Sequence, residues 1–124
     1  MNNKNKFTIL IRFAILVLAI VSVVRVSHSQ NWISQTSGTT NTLHAVCFLD
    51  NLKGFTVGDI GTIRYTTNGG TTWLPINGVT NEDLHDVAFL NAATGIIIGD
   101  NGRIYRSTNG GTVWVQQTSG VTNN

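Results

Sequence analysis

One cysteine in 124 residues excludes disulfides from the outset: Cys47 has no intramolecular partner, so stability must come from packing. Its position suits a small buried side chain rather than a reactive thiol. Charge is also scarce, with Asp, Glu, Lys and Arg together making 11% of the chain. Half of the basic residues (Lys4, Lys6, Arg12 and Arg25) sit before position 30. From residue 30 onward Lys53, Arg64, Arg103 and Arg106 face Asp50, Asp59, Glu82, Asp83, Asp86 and Asp100, so the formal charge is −2 instead of the +2 of the whole chain. No basic face remains to collect phosphates, which argues against a nucleic-acid partner. No phosphate-cradling loop, zinc-ligand spacing or nucleophile motif occurs. A sustained helical period is missing after residue 30 as well.

A long apolar run occurs only near the amino terminus. Lys4, Lys6 and Arg12 precede FAILVLAIVSVV at 13–24, and Ser27 and Ser29 stand at minus three and minus one of a cut before Gln30. That order of basic region, short apolar core and small-residue site reads as a secretory signal peptide over 1–29. A membrane span needs roughly 20 apolar residues, more than the run supplies, so no stable span is expected after cleavage. Cys47 does not directly follow the leader, which argues against a bacterial lipoprotein. The expected destination is the periplasm, the cell surface or the medium of a bacterium.

What the remaining chain does contain is itself, written twice. Residue n and residue n+41 match at 17 of the 41 pairs from Ile33/Leu74 to Trp73/Trp114, without a gap. Trp32 joins Trp73 and Trp114 in the same register, and His44/His85, Phe48/Phe89 and Asp59/Asp100 recur. A period near 40 points to propeller blades or solenoid turns. Each unit divides into four short strands. LHAVCF and LHDVAF alternate, with His, Val and Phe on one face; GFTVG and GIIIG are β-rich runs bracketed by glycine, continuous rather than alternating, as where both faces are covered. TIRYT and RIYRS come third, and the fourth strand begins at the tryptophan of TTWLPI and TVWVQQ. Turn residues at roughly ten-residue spacing complete an antiparallel all-β pattern.

The phrases TTNGGTTW (66–73) and STNGGTVW (107–114) are hairpin corners. Asn68-Gly69 and Asn109-Gly110 suit positive φ at the tip. The Asn amide and the Thr66 or Ser107 hydroxyl can bond local main chain. The tryptophan that follows buries a large surface, and its indole N–H calls for one acceptor. The same residues resemble the Asp-box, or bacterial neuraminidase repeat. The larger unit LHAVCFLDNLKGFTVGDIGTIRYTTNGGTTW resembles the repeat of the photosystem II stability and assembly factor family, over essentially all of 31–124. The resemblance implies a β-propeller of four-stranded blades, doing non-enzymatic assembly or stability work on partner proteins. Asn68 and Asn109 depart from the aspartate of the pattern, and Val113 from its threonine.

On this basis residues 30–124 are expected to comprise an outer strand at 31–37, a blade at 43–77, a second at 84–118 and the start of a further repeat to 124. Propellers commonly have four to eight blades, so the chain is expected to be the amino-terminal part of a longer protein, the alternative being several copies assembled into a ring.

The polar clusters form no catalytic constellation. His44 and His85 recur with no acid or cysteine beside them in sequence and are read as structural. Asp59 and Asp100, in Gly-Asp-x-Gly turns, are read as caps of their own backbone; oxygen ligands are too few there for a hard cation. Glu82, Asp83 and Asp86 form a solvated loop, not a pair of carboxylates opposed across a cleft. Sialidases that share the Asp-box use an arginine cluster and a tyrosine nucleophile, but Arg64 and Arg106 exchange places with Tyr105 and Tyr65 between repeats, and Arg103 matches neither. The expectation is therefore an exported scaffold that binds a protein or peptide, with no catalytic residue, cofactor or metal. The alternatives are a secreted glycoside hydrolase, a glycan-binding propeller, or a repeat segment of a cell-surface adhesin.

Overall fold

A computed structural model describes residues 32–120. The expected signal peptide lies outside these residues. Residues 34–120 belong to one compact unit, and the fold described is that of this unit. Among the described residues no helix is long and apolar enough to cross a membrane.

Eight strands form two antiparallel sheets of four, each in chain order. The first holds β1 (Leu43–Phe48), β2 (Gly54–Gly58), β3 (Thr62–Thr66) and β4 (Leu74–Ile76). The second holds β5 (Leu84–Phe89), β6 (Gly95–Gly99), β7 (Arg103–Ser107) and β8 (Val115–Gln117). The 41-residue offset survives in three dimensions, since each strand of one sheet begins 41 positions after its counterpart. Even the irregularities repeat. A register shift between Leu43 and Ala45 recurs between Leu84 and Asp86, each time at the histidine.

The core lies between the sheets. Pairing of Val57 with Ile63, and of Phe55 with Tyr65 and Cys47, puts these side chains on the face of the first sheet that meets the second. Opposite them the second sheet presents Val87, Ile97, Tyr105 and Trp114, and the two sets join in one buried cluster. The Phe55 ring stacks on Phe89 at 4.8 Å and meets Trp114 edge-on at 6.3 Å. Burying a side chain of this size contributes about 1.5–3 kcal/mol.

Alternation carries different weight in the two sheets. The face of β1 bearing Val46 and Phe48 is open, with Val46 60% exposed, whereas the equivalent Val87 is 4% exposed. Conversely β2 is buried throughout, as its continuous, non-alternating β-rich run foretold. Its counterpart β6 leaves Ile98 44% exposed on the far side. The outward faces are thus covered only in part: Thr56, which shares a face with Val46, stays buried while Val46 and Ile98 are exposed.

Residues 32–42 form no strand, unlike the outer strand expected at 31–37. A strand needs a ladder of partners, and this stretch has other contacts. Arg64 donates to the Gly38 carbonyl, and Ser37 and Thr39 make local turn bonds.

Candidate functional site

The repeated corner is built by side-chain oxygens more than by its asparagine backbone. Positive φ falls on Gly69 and Gly70, and again on Gly110 and Gly111, not on Asn68 or Asn109. Asn68 Oδ1 accepts the Thr72 N–H at 3.0 Å and the Thr66 hydroxyl at 2.9 Å. Asn109 Oδ1 accepts the Val113 N–H and the Ser107 hydroxyl in the same way. An asparagine keeps the acceptor oxygen that an aspartate would supply, which is why the departure from the Asp-box pattern leaves the corner intact. Val113 costs one bond, since Asn68 Nδ2 donates to the Thr72 hydroxyl and Asn109 has no counterpart. The buried hydroxyls of Thr66 and Ser107 accept the Gly70 and Gly111 N–H groups. The indole nitrogen of Trp114 is buried without an acceptor among the described residues. The expected hydrogen bond is replaced by edge contacts with Phe55 and Phe89.

Beside the second corner, where it meets the first sheet, lies a groove of about 370 Å³. Tyr65, Pro75 and Ile76 line it from the first sheet with Phe55 and Thr67, and Gly110, Gly111 and Thr112 line it from the second corner. Lys53 crosses between the sheets to reach it. Its ammonium donates to the Gly110 carbonyl at 2.8 Å and lies 5.7 Å from the centre of the Phe55 ring. Lys53 has no counterpart in the repeat, since Thr94 occupies its place in the second unit. That break in the repeat is the signal that could have found it.

At the opposite end of the strands two imidazole–carboxylate pairs stand side by side. His44 Nε2 lies 2.6 Å from Asp59 Oδ1, and His85 Nε2 lies 2.5 Å from Asp100 Oδ1. The two imidazole rings are 5.8 Å apart. The bond to His44, then that to the Thr42 hydroxyl, holds the Asp59 carboxyl below its ordinary value of 3.8. The aspartates therefore do not simply cap their own turns, and the histidines do have acids beside them. Fifteen residues separate each pair in sequence, and the β1–β2 and β5–β6 hairpins bring them together. Each pair uses one histidine and one acid; among the described residues no group of three such side chains is placed to hold a metal ion.

Of the three acids Glu82, Asp83 and Asp86, only Asp83 bonds across the sheets through its carboxylate. Asp83 Oδ1 accepts the Ile60 N–H at 2.8 Å, and the Glu82 carbonyl accepts the Gly61 N–H at 2.8 Å. Glu82 also accepts from Asn101 through its side chain and lies 4.0 Å from Arg103. Asp86 accepts only its neighbour's Val87 N–H. Cys47 is free and half-buried against the core.

The arginines and tyrosines do not converge. Arg64 pairs with Thr56 on the open face of the first sheet, and Arg106 pairs with Ile96 on the far face of the second. Tyr105 is buried in the core between them, and Tyr65 lines the groove.

No protein-family model matches the chain, and no curated protein does. Solved structures do. YCF48 bound to a D1 peptide superposes with a TM-score of 0.67 at 29% identity, over 73% of this chain and 31% of that one. YCF48 from Cyanidioschyzon merolae gives a TM-score of 0.65 at 26% identity, over 72% and 30% respectively. The chain thus spans about a third of the length of the proteins it matches, as two blades would. The two sheets are β-propeller blades, and in sequence and in structure the chain is similar to YCF48.

Proposed function

We propose that these blades belong to a non-enzymatic propeller that binds a protein or peptide partner. The similarity to YCF48, solved with a D1 peptide bound, carries this reading. Fold alone does not assign function; the interblade groove and its unpaired-with-carboxylate ammonium supply a surface on which recognition can be built. Within the described residues the scattered arginines give no support to sialidase-like catalysis.

The test is fluorescence anisotropy of a labelled D1 peptide titrated with the chain, beside a scrambled peptide of the same composition. Saturable binding with a preference of about tenfold, equivalent to 1.4 kcal/mol, is expected. Equal binding of both peptides would refute the assignment for these two blades. We further propose export, on the strength of the leader-like pattern at 1–29. Expression in a bacterium should then yield an extracytoplasmic product whose amino terminus is Gln30. A cytoplasmic product that retains Met1 and Asn2 would disprove it.

A further inference from the structure

We propose that the groove beside the second Asn-Gly-Gly corner receives the carboxy-terminal residue of a peptide, with its carboxylate on Lys53 and an apolar side chain against Tyr65, Pro75 and Ile76. This deepens the peptide-binding reading and rests on it.

Three observations point the same way. First, Lys53 is a half-buried ammonium whose described partners are a carbonyl and an aromatic face. Its nearest acid in sequence, Asp50, acts on it only at longer range: Oδ1 accepts the backbone N–H groups of Leu52 and Lys53 at 2.7 Å each, and the carboxylate feels the ammonium without forming an ion pair with it. No salt bridge to Lys53 occurs among the described residues. An ammonium has three donors, and one bond to Gly110 leaves two for an incoming anion. A charge-assisted bond at a partly desolvated cation is stronger than a neutral one.

Second, the groove that this cation lines is also lined by Tyr65, Pro75 and Ile76, with Thr67 and Thr112 beside them, and the volume of about 370 Å³ lies at the lower end of the range for ligand sites. Cation and apolar side chains are therefore close enough for one residue to satisfy both. A terminal residue carries its carboxylate and its side chain on the same α-carbon. An internal acidic residue would bring the charge without the apolar group, and would leave those side chains to a neighbour.

Third, the residues concerned are those that the duplication does not share. Lys53, Tyr65, Pro75 and Ile76 have Thr94, Arg106, Gln116 and Gln117 as their counterparts. Shared residues such as Gly110 and Gly111 build the corner, and the unshared ones give this junction its chemistry.

The test uses the full chain, labelled with ¹⁵N, and three small probes. These are N-acetyl-phenylalanine with a free carboxylate, its neutral primary amide, and N-acetyl-aspartyl-phenylalaninamide, which carries an internal acid. The first should shift the amides of Lys53, Gly110 and Gly111, with a Kd near 1 mM, about tenfold tighter than the neutral amide. Lys53→Gln should remove that preference while leaving the spectrum dispersed; Lys53→Arg should retain it. Equal affinity of acid and amide, shifts confined to another surface, no shifts at all, or tighter binding of the internal acid would each overturn the proposal. Failure here with specific D1-peptide binding in the anisotropy assay would leave protein binding standing at a different surface. Failure of both would remove the peptide reading as well.

Discussion

Replacing Gly111 by alanine should destabilise the chain markedly more than the same replacement at Gly70, although the two glycines occupy the same position of the repeat. Both adopt left-handed backbone, at φ +81 and +89 respectively, which costs a residue with a β-carbon about 1–2 kcal/mol. At Gly70 that is the whole penalty, because the nearest neighbour of a β-carbon would be Trp73 Nε1 at 3.6 Å, an ordinary contact. At Gly111 the new methyl would stand 2.3 Å from Phe55 Cζ and 2.5 Å from Cε1. Phe55 cannot yield easily, being 1% exposed and stacked on Phe89 at 4.8 Å. Overpacking of this kind costs about 1–3 kcal/mol, so the two variants should differ by about that amount. Urea unfolding followed by tryptophan fluorescence measures it, and the slope of the transition should stay constant. A second replacement, Phe55→Leu, should recover part of the Gly111→Ala loss and none of the Gly70→Ala loss, because only the first pair is in contact. Equal losses at the two glycines would mean that the sheets do not meet through Phe55, and the interblade core described above would be wrong.

The tryptophans offer a similar comparison: Trp114→Ala should cost about 3–5 kcal/mol, and Trp73→Ala clearly less, because Trp73 lies half-exposed beside Phe48 while Trp114 is 7% exposed. Ile60, a branched residue at φ +52 where the second unit has Asn101 at φ +56, should gain about 1 kcal/mol on replacement by asparagine, read as a higher urea midpoint. Asp59 predicts acid sensitivity. Its carboxyl binds a proton less readily in the folded chain than in the unfolded one, so its contribution is complete above the ordinary value of 3.8 and disappears as the pH falls through the lower folded value. Asp59→Asn should flatten the fall in stability below about pH 4, and an unchanged acid limb would show that the contact with His44 does not affect folding.

The architecture was legible because it was written twice. A duplication with glycines and a tryptophan in register specifies where strands start, turn and stop, and β1 to β8 follow those marks within a residue or so. Faces were harder. Alternation says which side chains share a face but not which face is covered, and Val46 and Val87 read identically while differing from 60% to 4% exposure. Pairings across a hairpin were also hidden. Nothing in the sequence ties His44 to Asp59, because the link passes through the register of β1 on β2. The groove was invisible for the opposite reason: attention to what recurs overlooks Lys53, whose role depends on Gly110 of the other sheet, 57 positions away. The indole acceptor failed because a general preference of buried N–H groups gave way to ring packing at Trp114.

Placing the core between the sheets rather than within either has a consequence for how the chain loses its structure. Neither unit owns enough buried surface to survive by itself, so a proteolytic nick in the 77–83 connection should release two pieces that both collapse. Hydrogen exchange at Ile63 and at Ile97 should then slow or quicken together, because a single opening event exposes them both.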